Sequence, residues 1–127
     1  MNEKRFIALK DLKVYQPARE LSSKAWDVYC NLTFEHKKIM GDQFIRSMDS
    51  IGANIAEGHG RFPAMDQVKF YLYSRRSMLE AHSHWTSLLF ERKINSEADF
   101  GYINTHSKGL QVRLNNFISS TRKSIKK

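Results

Sequence analysis

The sequence predicts an all-α protein, an antiparallel up-down-up-down four-helix bundle, and three observations carry that expectation. Four segments repeat apolar residues at steps of three and four, the period of one face of a helix. The breaks between them are under about ten residues, short enough to join antiparallel neighbours. Two prolines and six glycines in 127 residues are too few for a loop-rich all-β chain.

The first helix is expected over about residues 12–33, with Asp11 as its N-cap. Val14, Ala18, Leu21, Ala25, Val28 and Leu32 share one face. Pro17 falls inside this span and removes a backbone donor, so either the helix bends there or it starts later. The second helix is expected over 42–58, opening near Asp42 with Phe44, Met48, Ile51 and Ile55 as its stripe. Small Gly52, Ala53 and Ala56 allow close approach of a neighbour, and Gly58 suits the left-handed residue after a helix end.

The third helix is expected over 64–92, with Pro63 at its first turn and a length of roughly 40 Å. Val68, Leu72, Leu79 and Leu89 mark its apolar row, widened by Tyr71, Met78, Trp85 and Leu88. The fourth is expected over 97–123. It opens on Ser96-Glu97-Ala98-Asp99, a capping box with Asp in place of Glu or Gln. Ile103, Leu110 and Phe117 recur in sevens beside Phe100 and Leu114, with Ser107 interrupting, and the basic stretch from Arg122 to Lys127 is expected to fray. Tyr15, Trp26, Tyr29, Phe70 and Tyr73 fall beside these stripes. They either widen the core or form a second apolar surface for self-association.

No repeat, low-complexity tract or linker divides residues 1–127, which read as one domain, and 41% apolar residues can supply its core. Twenty-one Lys and Arg against thirteen Asp and Glu leave a formal charge of +8. Such an excess argues for an anionic partner, nucleic acid before membrane. The single Cys30 makes no internal disulfide, as suits a reducing compartment. No apolar run reaches the ~20 residues of a membrane span, and Met1–Arg5 lacks the apolar core of a signal peptide. The expected location is the cytoplasm.

Catalytic, metal and cofactor chemistry are not expected. None of His36, His59, His82, His84 and His106 has an acidic residue three positions before it, as a di-iron bundle requires. His82 and His84 are two apart and do not share a helix face. Gly58-His59-Gly60-Arg61 lacks the Lys-Ser/Thr of a phosphate loop and follows no strand. Cys30 reads as a buried, inert helical thiol, and no serine sits in a nucleophile elbow.

The stretch Asn54-Ile55-Ala56-Glu57-Gly58-His59-Gly60-Arg61 resembles the NIAEGxGR signature of the four-helix-bundle family encoded in intervening sequences of bacterial 23S ribosomal RNA. Leu9-Lys10-Asp11-Leu12-Lys13-Val14-Tyr15-Gln16 is similar to that family's F-x-D-L-x-V-W-Q opening, with Leu9 for Phe and Tyr15 for Trp. Gln43 and Arg46 match its Q-x-x-R, and Ser77 and Glu80 its S-x-x-E. The resemblance implies a four-helix bundle, a homopentamer and a function linked to RNA or DNA. A related branch is the accessory protein of diversity-generating retroelements, a basic pentamer that binds nucleic acid and a reverse transcriptase. The chain departs from the family pattern at Pro17, Ile45, Asp49, Gly52 and Arg76. Ile45 removes a second Arg from helix two, whereas Arg76 adds a charge on helix three in place of a small Gly.

Two roles follow for the polar residues. Arg46, Arg61, Lys69, Arg75 and Arg76, with Lys37 and Lys38 at a loop, are the candidates to neutralise phosphates, giving salt-sensitive binding with little sequence preference. Asn54, Glu57, Ser77 and Glu80, with Arg46 and Arg61 as partners, are the candidates for a polar network buried between helices that fixes their register. The alternative function is a scaffold that binds a protein partner, a polymerase among the options, without touching nucleic acid.

Overall fold

The computed structural model describes residues 7–125. The reading of Met1–Arg5, and the last two residues of the basic end, lie outside the described residues. Among those described there are four long helices and no strand.

A short 3-10 turn, Leu9–Asp11, precedes α1, Tyr15–Cys30. Asp11 is therefore not the N-cap, and the later start is the correct alternative at Pro17. As the third residue of α1, Pro17 occupies a turn whose N–H groups have no intrahelical acceptor, so its missing donor costs nothing and no bend follows. Ala18, Leu21, Ala25 and Val28 are buried. Cys30 is exposed rather than buried, because two residues past Val28 the helix has turned to solvent.

The second helix, α2, spans residues 34–59 and begins more than a turn before the expected start. Thr33 caps it, its Oγ1 accepting the His36 N–H at 3.1 Å. Lys37–Gly41 forms a wider π-type turn and the α-helix continues as Asp42–His59. Asp42 is thus interior, and its carboxylate accepts the Tyr29 hydroxyl at 2.7 Å. Gly58 is a second correction. No described glycine has a positive φ, and the helix runs through Gly58 to His59. What Gly58 supplies is space: a Cβ there would lie 2.6 Å from Tyr71 Cε1 and 3.1 Å from Phe70 Cβ.

Pro63 precedes α3, residues 64–91, whose Leu79–Thr86 segment is again π-helical. Thr86 Oγ1 donates to the Ala81 carbonyl at 2.7 Å, five residues back. The helix closes with both bonds of a Schellman motif, Ile94 N–H to the Leu89 carbonyl and Lys93 N–H to that of Phe90, each 2.9 Å. Lys93 holds the position usually given to glycine, with φ 60°. The last helix, α4, is Glu97–Ile125. Ser96 caps it as expected, accepting the Asp99 N–H at 3.0 Å. The Asp99 carboxylate turns away from Ser96 and pairs with Lys24 Nζ at 2.7 Å, so only half of the capping box forms.

Neighbouring helices are antiparallel, since contacting residues count in opposite directions. Gly41 abuts Leu32 and Gly52 abuts Ala18 across α1 and α2. Tyr71 meets Gly58 and the Ser74 hydroxyl donates to the Ile51 carbonyl at 2.8 Å across α2 and α3. Rings meet from the tilted Tyr71–Phe117 pair at one end of α3 and α4 to the stacked Phe90–Phe100 pair at the other. The Lys24–Asp99 pair joins α1 to α4 and closes the ring. The core between them is one cluster, including Leu21, Phe44, Met48, Ile51, Leu89, Ile103, Leu110 and Leu114, all at most 1% exposed. The extra aromatics divide: Tyr15 and Tyr29 pack against this core, Phe70 and Tyr73 are half-buried, and Trp26 is 54% exposed. No helix among the described residues is long and apolar enough to cross a membrane.

Candidate nucleic-acid interface

The helical period decides which polar residues reach solvent. In α3 the inward positions are Val68, Tyr71, Ser74 and Met78. Lys69, Arg75 and Arg76 fall between these rows and are exposed. Arg75 Nη1 donates to Asn115 Oδ1 on α4 at 3.0 Å, and the Arg76 guanidinium lies over the Tyr73 ring, 5.5 Å from its centroid. Both partners are uncharged. They order the guanidiniums without neutralising them, and among the described residues neither has a carboxylate partner.

These two arginines border a groove of about 440 Å³ between α3 and α4. Leu72, Met78 and Leu79 form its apolar part; His82, Ser83 and Gln111 complete the wall. His82 Nε2 shares a hydrogen bond of 2.7 Å with Asn104 Oδ1. No carboxylate lines the groove. By contrast, the clefts along α1 carry Asp11, Glu20 and Asp27.

The other candidate cations do not join this pair. Lys37 Nζ sits over the Tyr29 ring at 5.1 Å, and Arg46 is close enough for its charge to act on the same phenol. The hydrogen bond to Asp42 nevertheless raises the Tyr29 pKa above its ordinary value. Lys38 Nζ lies 5.3 Å over Phe34. Lys37 and Lys38 thus lie near the start of α2, and Arg46 lies midway along it. Ser74 meets Ile51, so along the bundle the Arg75–Arg76 pair is roughly 20 Å from Lys37 and Lys38 and roughly 8 Å from Arg46, at 1.5 Å per residue. Arg61 is at the opposite end of α2, and its charge is met: Nη2 reaches Glu57 Oε2 at 2.7 Å, and the guanidinium covers Phe70 at 4.6 Å.

The expected buried polar network does not form within the chain. Ile51, Ile55 and Gly58 take the inward positions of α2, which turns Glu57 to solvent, and Asn54 bonds back to the Ser50 carbonyl at 2.9 Å. Glu80 is exposed and accepts the Trp85 Nε1–H at 2.9 Å, while Ser77 is half-buried. The buried polar tie between α2 and α3 is the Ser74 hydroxyl, which sequence reasoning missed. Its signal was a lone hydroxyl in the row Val68, Tyr71, Ser74, Met78. Asn104, Gln111 and Asn115 were missed too, because helix-four amides have no distinctive pattern. Among the described residues, no three His, Cys, Asp or Glu side chains cluster to hold a metal ion.

A search of curated proteins finds no match. Among solved structures, the chain is similar to a protein of unknown function from the S23 ribosomal protein family of Bacteroides thetaiotaomicron. The two are 25% identical, with a TM-score of 0.77 over 84% of this chain and 95% of that one. The family model for 23S rRNA-intervening sequence proteins matches residues 10–116, a span from the turn before α1 to the last third of α4. The chain therefore belongs to the 23S rRNA-intervening sequence protein family.

Proposed function

We propose that the protein is a non-enzymatic, cytoplasmic, homo-oligomeric nucleic-acid binder that holds phosphates chiefly through Arg75 and Arg76. The observation that carries this reading is the pair of exposed guanidiniums held by the neutral partners Asn115 and Tyr73 beside a groove without carboxylates. Cations fixed in this way lose little side-chain freedom on binding and keep their full charge for a phosphate. Lys69, Lys37, Lys38 and Arg46 extend the attraction along the bundle. Arg61 contributes less, because Glu57 already meets its charge. The formal charge of +8 supplies the longer-range field; a pentamer, implied by resemblance, would carry five times this, +40. Phosphate contacts of this kind read no sequence.

The test is binding of a labelled oligonucleotide by wild type and by the double variant Arg75→Glu, Arg76→Glu. The variant should bind far more weakly while keeping its helical circular dichroism, and Arg61→Gln should bind almost as wild type. Unfolding of the double variant would assign both side chains to packing instead.

A second reading, an assembly module for a protein partner, is favoured by one observation. Phe62, in the turn before α3, is 95% exposed, and Met65, three residues on, is 70% exposed. Neighbouring exposed apolar side chains of this kind mark contact surfaces. A native mass of one chain at micromolar concentration would remove self-association from the proposal and leave these residues to another protein.

A further inference from the structure

The geometry of the α3–α4 groove points to a site for an unpaired nucleobase beside the phosphates on Arg75 and Arg76, so that we infer a preference for single-stranded nucleic acid over duplex. This inference rests on the nucleic-acid reading above and sharpens it.

A protein that touches only the phosphate backbone needs charge and nothing else. This groove has a second component. Leu79 stands 62% exposed, and Leu72 is half-buried next to it in the same wall. Both lie in one groove with the two guanidiniums, and its volume of about 440 Å³ is within the range of pockets that hold small organic ligands. A duplex keeps its base faces stacked inside, where Leu79 cannot reach them. A single strand exposes a base face every nucleotide and gains by laying one on an apolar surface. The Arg76 guanidinium, over the Tyr73 ring at 5.5 Å, offers a flat cation of the kind on which bases also stack.

Charge complementarity selects this occupant over a second copy of the chain. A second copy would have to meet both guanidiniums from a surface on which 21 Lys and Arg outnumber 13 Asp and Glu, whereas every nucleotide of a strand brings a phosphate. An acidic peptide would satisfy the guanidiniums, but carboxylates offer no flat face for Leu79 and Arg76. Gln111 and Ser83 on the groove wall supply uncharged donors and acceptors for base edges.

The experiment compares three labelled ligands at one salt concentration: a single strand, the same strand as a duplex, and an abasic strand with the same number of phosphates. The base-bearing strand should bind at least about fivefold tighter than the abasic one, the low end of what one stacked base contributes. Leu79→Gln should lower that ratio, because the base-bearing strand loses more affinity than the abasic one; an exposed position tolerates the change, and the wild-type comparison needs no variant. Equal affinity for base-bearing and abasic strands, or tighter binding of the duplex, would overturn the inference while leaving the phosphate reading intact. Failure of all three ligands to bind at low salt would overturn both. Polyglutamate displacing the strand as well as an unlabelled strand of equal length, or Leu79→Gln dispersing an oligomer, would reassign the groove to an acidic segment or a second copy.

Discussion

Replacing Gly58 with alanine tests the packing of α2 against α3, because two effects of opposite sign meet at that position. In an exposed helix, Gly→Ala stabilises by about 1 kcal/mol. At Gly58 the new methyl would lie 2.6 Å from Tyr71 Cε1, 3.0 Å from Tyr71 Cδ1 and 3.1 Å from Phe70 Cβ. The Tyr71 ring cannot swing away cheaply, since it is 2% exposed and packs on Phe117 at 4.9 Å. Overpacking of this kind costs about 1–3 kcal/mol. Set against the propensity gain, the clash leaves Gly58→Ala destabilising by up to about 2 kcal/mol, or as much as roughly 8 °C in Tm for a domain of this size. Gly101 and Gly109 in α4 provide the internal control, as nothing stands within 4 Å of a Cβ built on either. Each alanine there should stabilise by about 0.5–1 kcal/mol. Urea denaturation of the three variants reads these differences through the midpoint, with an unchanged slope. If Gly58→Ala stabilises as much as Gly101→Ala, the close approach of Tyr71 is wrong.

Three further outcomes are expected. Lys93→Gly should stabilise by about 1 kcal/mol, since φ 60° strains a side chain but not glycine, and a fall in thermal midpoint would refute the Schellman geometry. Ser74→Ala should cost about 1–2 kcal/mol by removing the buried hydroxyl from the Ile51 carbonyl, whereas Ser77→Ala should be nearly neutral in the same melt. Burial pushes the Tyr71 phenol up to about 12 from the ordinary 10.0. The folded chain then holds a proton that the unfolded chain releases, so stability is complete below pH 10 and falls between pH 10 and 12. Tyr71→Phe should flatten that decline in chemical denaturation across the alkaline range, and an unaltered decline would contradict the assignment to Tyr71.

The helical stripes were legible because a core face leaves a regular spacing: Leu21, Phe44, Ile51 and Leu110 were all placed correctly. Helix starts were harder. Pro17 left two readings open, and Asp42 looks like a cap in sequence, yet Thr33 caps α2 and Asp42 instead receives the Tyr29 hydroxyl. Gly58 illustrates a deeper limit, since the same residue type serves a left-handed turn or a tight crossing, and only the position of Tyr71 distinguishes them. Charge reaches solvent predictably, so Arg75 and Arg76 were named from sequence. Which cations stay unpaired depends on partners such as Glu57, and which neutral groups orient them depends on Asn115 of another helix. The supposed network of Asn54, Glu57, Ser77 and Glu80 failed for the same reason: one-dimensional spacing placed these residues near small neighbours without fixing the direction in which they point.

If the guanidiniums of Arg75 and Arg76 on α3 bind phosphates, the dependence of affinity on salt measures it most directly. For a single-stranded ligand each neutralised phosphate adds about 0.7 to the slope of log K against log salt. Titrations between 50 and 200 mM salt should therefore give a steep negative slope for wild type. Arg75→Gln with Arg76→Gln should make it shallower by roughly 1.4 for each occupied site. A slope that is flat in wild type, or unchanged when both arginines are removed, would contradict the account.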